Sequence, residues 1–254
     1  AVVGESGSGK STLREELIDR VKNENGKTVI VEPYTLAMAE NESNGKPMRS
    51  QHIAEAIIST IAPGTSVPSS PEMRFRRLHQ LLKSAHGAGT HHCVIIEEAH
   101  DLHRHTLKSL KRFWELKDGL HRLLSIILIG QTELGEKLKP ADAGVREVVQ
   151  RCDVLNITPI EDVADFLRFR FARAGIDFGK MFAEDGVDAI KESLTVAQDQ
   201  SGKGVYMGYP LMIANMTIAA LNLAASAGEK QVTWCGWCGR NHLLGAYQLA
   251  AQGR

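Results

Sequence analysis

The chain has 254 residues, enough for one large or two small domains with a sizeable core. Apolar residues at 43% and charged residues at 24% place it among ordinary globular proteins and exclude a disordered or low-complexity chain. Thirty basic residues balance thirty acidic ones, so no global field draws it to nucleic acid, and any basic surface must be local.

The first apolar run is Ala1-Val2-Val3. The run reads as the inside of a strand rather than as a signal peptide, which predicts a further segment upstream. The run leads into Gly4-Glu5-Ser6-Gly7-Ser8-Gly9-Lys10-Ser11-Thr12, a complete G-x-x-x-x-G-K-S/T pattern, and then into helical periodicity from Leu13 to Val21. Strand, glycine-rich loop and helix in that order predict a phosphate-binding loop. The glycines let the backbone curl so that successive N–H groups face one anion, and the helix N-terminus adds partial positive charge. Lys10 is the cation for the β- and γ-phosphates of ATP, and Ser11 offers its hydroxyl to Mg²⁺. The other reading, a Gly/Ser-rich surface turn before a capped helix, requires no lysine at this spacing. The candidate nucleotide-binding residues are therefore Gly4, Glu5, Ser6, Gly7, Ser8, Gly9, Lys10, Ser11 and Thr12.

Thr28 to Glu32 is the second strand run, introduced by the turn Asn25-Gly26. Residues 40–50 and 62–71 are rich in Asn, Ser, Gly and Pro and read as loops on either side of a helix over Ile53 to Ile61. Cys93-Val94-Ile95-Ile96-Glu97 is the third strand, and it is followed by Glu98-Ala99-His100. An apolar strand ending in adjacent acids, placed at the carboxyl edge of a parallel sheet, is suited to magnesium and water. Glu97 is assigned to Mg²⁺ and Glu98 to the attacking water; the alternative is a pair of solvated acids opening a helix. Leu124 to Gly130 is the fourth strand, with Gln131 at its tip as a candidate partner of the γ-phosphate or the water, or else a turn capped by Thr132. Arg146 and Arg151 precede the fifth strand, Asp153 to Ile157, and are candidates to reach a neighbouring subunit's γ-phosphate. The alternative is a surface pairing such as Glu147 with Arg151. Five apolar strands alternating with helices predict an α/β core with a parallel sheet over residues 1–158.

Past Pro159 the pattern turns helical. Ile160 to Ala174, Val187 to Gln198 and Pro210 to Ala227 predict a small helical lid domain over 159–230, with no β pattern before Gln231-Val232-Thr233. A tail follows over 231–254. Its Cys235-Gly236-Trp237-Cys238-Gly239, with His242, has the shape of a zinc knuckle, but no fourth ligand is evident; packing of the tail tryptophans is the plainer reading. His91, His92, His100, His103 and His105 gather about the third strand and read as a solvated helix start rather than a metal site. No apolar run approaches the roughly 18 residues of a membrane helix. Four cysteines beside a nucleotide loop predict a reducing cytoplasm.

Taken together, the Gly4–Thr12 loop, Glu97-Glu98-Ala99-His100, Leu128-Ile129-Gly130-Gln131-Thr132-Glu133-Leu134 and Gln150-Arg151-Cys152 resemble an AAA+ ATPase. The closest flavour is the group of the Mu-type phage B transposition protein, the transposon target-selection ATPases and the ExeA-like secretion ATPases. Ile157-Thr158-Pro159-Ile160 and Arg173-Ala174-Gly175 are similar to the ExeA-like pattern. The resemblance spans roughly residues 1–225. It implies an AAA+-type fold, ATP and Mg²⁺ as ligands, a homo-oligomeric ring or filament, and an arginine acting between subunits. It also implies a regulator of DNA transposition that meets duplex DNA and a transposase, with Lys108, Lys111 and Arg112 as candidate phosphate contacts or a solvated helix face. The alternatives are an ExeA-like ATPase remodelling a protein partner and an ATP-gated signalling switch. One departure stands out: Gly208-Tyr209-Pro210-Leu211-Met212 lacks the arginine that the family often carries after Gly-x-Pro.

Overall fold

The computed structural model describes residues 1–34, 48–139, 145–196 and 204–234. Two compact units separate: residues 1–6 with 10–157, and residues 7–9 with those from 158 onward.

The first unit is built on strands β1 (Val2–Val3), β2 (Thr28–Val31) and β3 (His91–Ile96), the short pair β4 (Lys117–Asp118) and β5 (His121–Arg122), and strands β6 (Leu124–Gly130) and β7 (Leu155–Asn156). Five of these form the sheet β2-β3-β6-β1-β7, and every pairing in it is parallel. Side chains alternate across the sheet with period two. Cys93, Ile95 and Ile129 pack with Leu17 and Ile18 of the helix Lys10–Asn25. Val94, Ile96, Leu124 and Leu128 face the other way, into a core with Ile53, Ile57, Leu78, Leu82, Leu107 and Leu110 from helices Ser50–Ile61, Pro71–Gly87 and Arg104–Trp114. Helices thus cover both faces, which is why β3 and β6 read as continuous apolar runs rather than alternating ones.

Two elements of this unit are absent from the sequence expectations. Pro71–Gly87 is a full helix with Leu78 and Leu82 wholly buried; its basic residues mask a thin apolar stripe. Among them Arg74 is itself buried, 3.4 Å from Glu55 and donating to the Ser69 carbonyl at 3.1 Å. The β4–β5 hairpin turns through Gly119 at φ 58°. Asp118 pairs with His121, so the two-residue loop is Gly119-Leu120, with glycine at its first position, where a positive φ is required.

The second unit is helical. Val163–Arg173, Glu184–Ser193 and Pro210–Ser226 converge on Val163, Leu167, Ile190, Ile213 and Ala220. Phe171, Phe178 and Phe182 form an aromatic cluster with ring centres 5.2–5.9 Å apart, a spacing at which ring pairs attract. Here too expectation is corrected. The helix predicted to run to Gln198 stops at Ser193, because Thr195–Val196 pairs antiparallel with Val205–Tyr206 as β8 and β9. A two-residue strand is too short for periodicity to reveal. The Cys235, Cys238 and His242 cluster lies outside the described residues.

Gly186 sits inside the helix Glu184–Ser193 where a Cβ would run into the Val232 carbonyl oxygen. That oxygen accepts from Ala183 N at 3.0 Å, and Val232 N donates to Met181 O at 2.9 Å, so the neighbour is tethered. Alanine normally stabilises a helix interior by about 1 kcal/mol over glycine. At Gly186 the sign is expected to reverse: Gly186→Ala should cost about 1–3 kcal/mol and lower the melting midpoint by several degrees. A raised midpoint would refute the close approach.

Candidate nucleotide site

The carboxyl edge of the sheet gathers the sequence candidates. Val3 is level with Gly130 and Ile96 with Leu128, so β1, β6 and β3 end side by side, about 5 Å from one strand to the next. The helix after β1 and the helix after β6, Thr132–Lys137, pack on opposite faces through Leu17 and Leu134. Adjacent strands whose following helices diverge leave a crevice at their tips, the place where parallel sheets bind ligands.

The loop after β1 has the backbone for an anion. Gly7 and Gly9 take φ 75° and 93°, and a left-handed residue alternating with ordinary ones turns successive N–H groups to one side. Gly4 N donates to the Gly130 carbonyl at 3.2 Å, tying the loop to the β6 tip. Lys10 Nζ donates to the Gly4 and Glu5 carbonyls, both at 2.8 Å. Two of its three protons are held by the loop and one remains. Ser8 Oγ is buried with no hydrogen-bond partner. A buried, unpartnered donor in a glycine-rich loop that opens a sixteen-residue helix fits a phosphate group well. Ser11 and Thr12 are exposed on the first turn.

At the β3 tip, Glu97 and Glu98 diverge. Glu97 is partly buried, and its Oε2 accepts from Arg14 Nη1 at 2.9 Å. Arg14 Nη1 also meets Glu32 Oε1, just past β2, at 2.9 Å. This arginine, four residues after Lys10, escaped sequence reading because a helical arginine among acids looks like surface. Glu98 has φ 47° and ψ 36°, the left-handed region, and is the one non-glycine residue there among those described. That conformation costs about 1–2 kcal/mol, and it breaks the strand so that Glu98 projects at the turn. Its Oε2 lies 3.3 Å from His100 Nδ1, and the same nitrogen faces Gln131 N at 3.4 Å. His100 therefore links the β3 and β6 tips. Gln131 is the N-cap of the helix Thr132–Lys137 and makes no side-chain cap bond. Gly130 must be small: a Cβ would meet Leu134 Cδ2 at 2.9 Å and His100 N at 3.0 Å.

Other candidates stand away from this edge. Arg146 opens the short helix Arg146–Val149 and is exposed. Arg151 Nη1 donates to the Glu147 carbonyl at 2.7 Å. Glu147 gives its carboxylate to Lys111 instead, at 2.8 Å, and that hydrogen bond holds its pKa below the usual carboxylate value. Upstream in β3, burial pushes the Cys93 thiol up to about 11 and lowers the pKa of His92; both are core groups rather than reactive ones. Among the described residues no group of histidines, cysteines and acids is arranged to hold a metal by itself, so a magnesium ion here would need phosphate oxygens and water for much of its shell.

Comparison with known proteins agrees with this fold. Solved structures of similar fold include Cdc6p from Pyrobaculum aerophilum (TM-score 0.59, 18% identity, covering 91% of this chain and 57% of that one). The ORC2 protein of Aeropyrum pernix, in ADPNP-ADP complexes, matches with TM-score 0.54 and 15% identity over 94% of this chain and 60% of its own. The RuvB Holliday junction branch migration motor of Thermotoga maritima matches with TM-score 0.52 and 11% identity over 96% and 60%. Among curated proteins, General secretion pathway protein A of Aeromonas hydrophila is 24% identical over 181 residues, 68% of this chain and 30% of that protein. The chain therefore spans under a third of its curated relative. The AAA domain family matches residues 1–138, more than half of the 254 residues, and the protein belongs to that family.

Proposed function

We propose that the chain is a magnesium-dependent ATPase module whose nucleotide cycle drives self-assembly and work on a protein partner. One observation carries this reading: the consecutive tips of β1, β6 and β3 bear Lys10 and its loop, Gln131, and the Glu97-Glu98 pair. The loop N–H groups, Lys10 and Ser8 hold the phosphates. Ser11 and Glu97 hold Mg²⁺, which when bound neutralises charge on the phosphate oxygens. Glu98 orients and deprotonates water, and Gln131 positions that water or the γ-phosphate. Arg146 or Arg151 reaches the site of a neighbouring copy.

The similarity to General secretion pathway protein A supports a protein partner over DNA. The transposition reading, with duplex DNA and a transposase, keeps the support of Lys108 and Arg112, both exposed and one turn apart on the helix Arg104–Trp114. Lys111, the third cation of that set, is occupied by Glu147 and lies 3.7 Å from Glu115. Two exposed cations, one of them in the field of Glu147, supply little counterion release. The expected result is ATP-dependent assembly in analytical ultracentrifugation, with no ATP-dependent shift of duplex DNA at low salt. A salt-sensitive shift requiring ATP would overturn the protein-partner reading and restore the transposition one. No helix among the described residues is long and apolar enough to cross a membrane.

A further inference from the structure

Arg14 follows Lys10 by one helical turn, so both side chains rise on the same face of the helix Lys10–Asn25. A single nitrogen, Nη1, serves two carboxylates at 2.9 Å each: Glu32 beyond β2 and Glu97 beyond β3. Val31 is level with Val94, so these acids emerge from neighbouring strand ends. The Arg14 side chain is 23% exposed, and its Nε is buried without a partner. A fork with five donors thus makes its close contacts through one corner, with Glu15 more distant at 3.9 Å from Nη2, an under-satisfied arrangement for a purely structural arginine. Glu97 presents Oε2 to Arg14, and its other oxygen is the one left for a second cation.

Building on the reading of Glu97 as the metal-side acid, we infer that Arg14 is a positioning residue that competes with the divalent cation for the Glu97 carboxylate, and that Glu32 sets the strength of that competition. Two cations on one carboxylate repel, and partial burial reduces screening. Glu32 gives Arg14 a second anchor, so the guanidinium can yield Glu97 without losing an ionic partner. Removing the arginine adds one net negative charge to the cluster of Arg14, Glu32, Glu97 and the more exposed Glu15, and neutralising Glu32 removes one. The two changes must therefore move metal affinity in opposite directions.

The test is binding of Mn²⁺, followed by electron paramagnetic resonance with ADP present, in the full chain and its variants. Arg14→Gln is expected to lower the half-saturating Mn²⁺ concentration about three- to tenfold, and Glu32→Gln to raise it by a similar factor. Arg14→Lys keeps the charge and should remain near the parent value. A merely structural ion pair would lower the melting midpoint in both variants while leaving metal affinity unchanged or shifting it the same way; either result overturns the inference. If Arg14→Gln does not fold, Glu32→Gln decides alone: unchanged or tighter Mn²⁺ binding overturns it. Failure of the parent protein to bind ADP and Mn²⁺ at all would strike the nucleotide-site reading itself, a separate outcome visible before any variant is made.

Discussion

Lys10→Ala is expected to weaken ATP binding by about a hundredfold or more, equivalent to roughly 3 kcal/mol. The ammonium group lies partly buried with two protons on the Gly4 and Glu5 carbonyls, so it is aimed before any ligand arrives. Alanine removes a charge-assisted hydrogen bond to phosphate worth about 1.5–3 kcal/mol. It also leaves the two carbonyls without their donor, in the loop whose N–H groups must face the same anion. The losses share one cause and reinforce each other. Isothermal titration with ATP and magnesium measures the effect, and a melting curve without nucleotide checks the fold. Affinity within threefold of the parent value would remove the loop from its role. Survival of binding with loss of hydrolysis would instead make Lys10 a group that acts only in the transition state.

Why the loop was readable and Arg14 was not is a matter of where the information lies. The Gly4–Thr12 segment is local: its glycines, lysine and following helix occupy one stretch, and φ values of 75° and 93° at Gly7 and Gly9 are what glycine is there to supply. The sheet was readable for a related reason, since burial on both faces writes strands such as Cys93–Ile96 as unbroken apolar runs. Arg14 acquires meaning only when Glu32 and Glu97, distant in sequence, arrive at adjacent strand ends. The helix Pro71–Gly87 stayed hidden because Arg74, Arg76, Arg77 and Lys83 are interleaved with its apolar positions, although Leu78 and Leu82 place one face in the core. Strands β8 and β9 are two residues each, below the length at which any period can be counted. The left-handed turn at Glu98 has no signature either, since glutamate is not a residue type that favours it.

That turn bears directly on the second large effect. Glu98→Gln is expected to leave ATP affinity within about threefold while reducing steady-state hydrolysis about 10²- to 10³-fold, the range a positioned general base supplies. Glutamine matches glutamate in shape and can still accept a hydrogen bond, so the strained backbone at φ 47° need not change. What it cannot do is take a proton from water. His100 sharpens the expectation. Its Nδ1 faces both Glu98 Oε2 at 3.3 Å and Gln131 N at 3.4 Å, and one ring nitrogen cannot donate to the first while accepting from the second. With the proton on Nδ1, the imidazole restrains Glu98. With it on Nε2, where Asp101 Oδ1 lies 3.7 Å away, the imidazole accepts from Gln131 and no longer donates to Glu98. On the proposed reading of Glu98 as the base, hydrolysis is therefore expected to depend on which tautomer the β6 tip selects. The variant should accumulate in its ATP-bound state, and assemblies formed with ATP should persist for hours rather than dissolve. Phosphate release and sedimentation, measured on the same sample, read both consequences. If turnover is unchanged, Glu98 is not the base and Glu97 becomes the acid that faces water. If binding is lost with turnover, the acid is holding the nucleotide complex together rather than acting on the water.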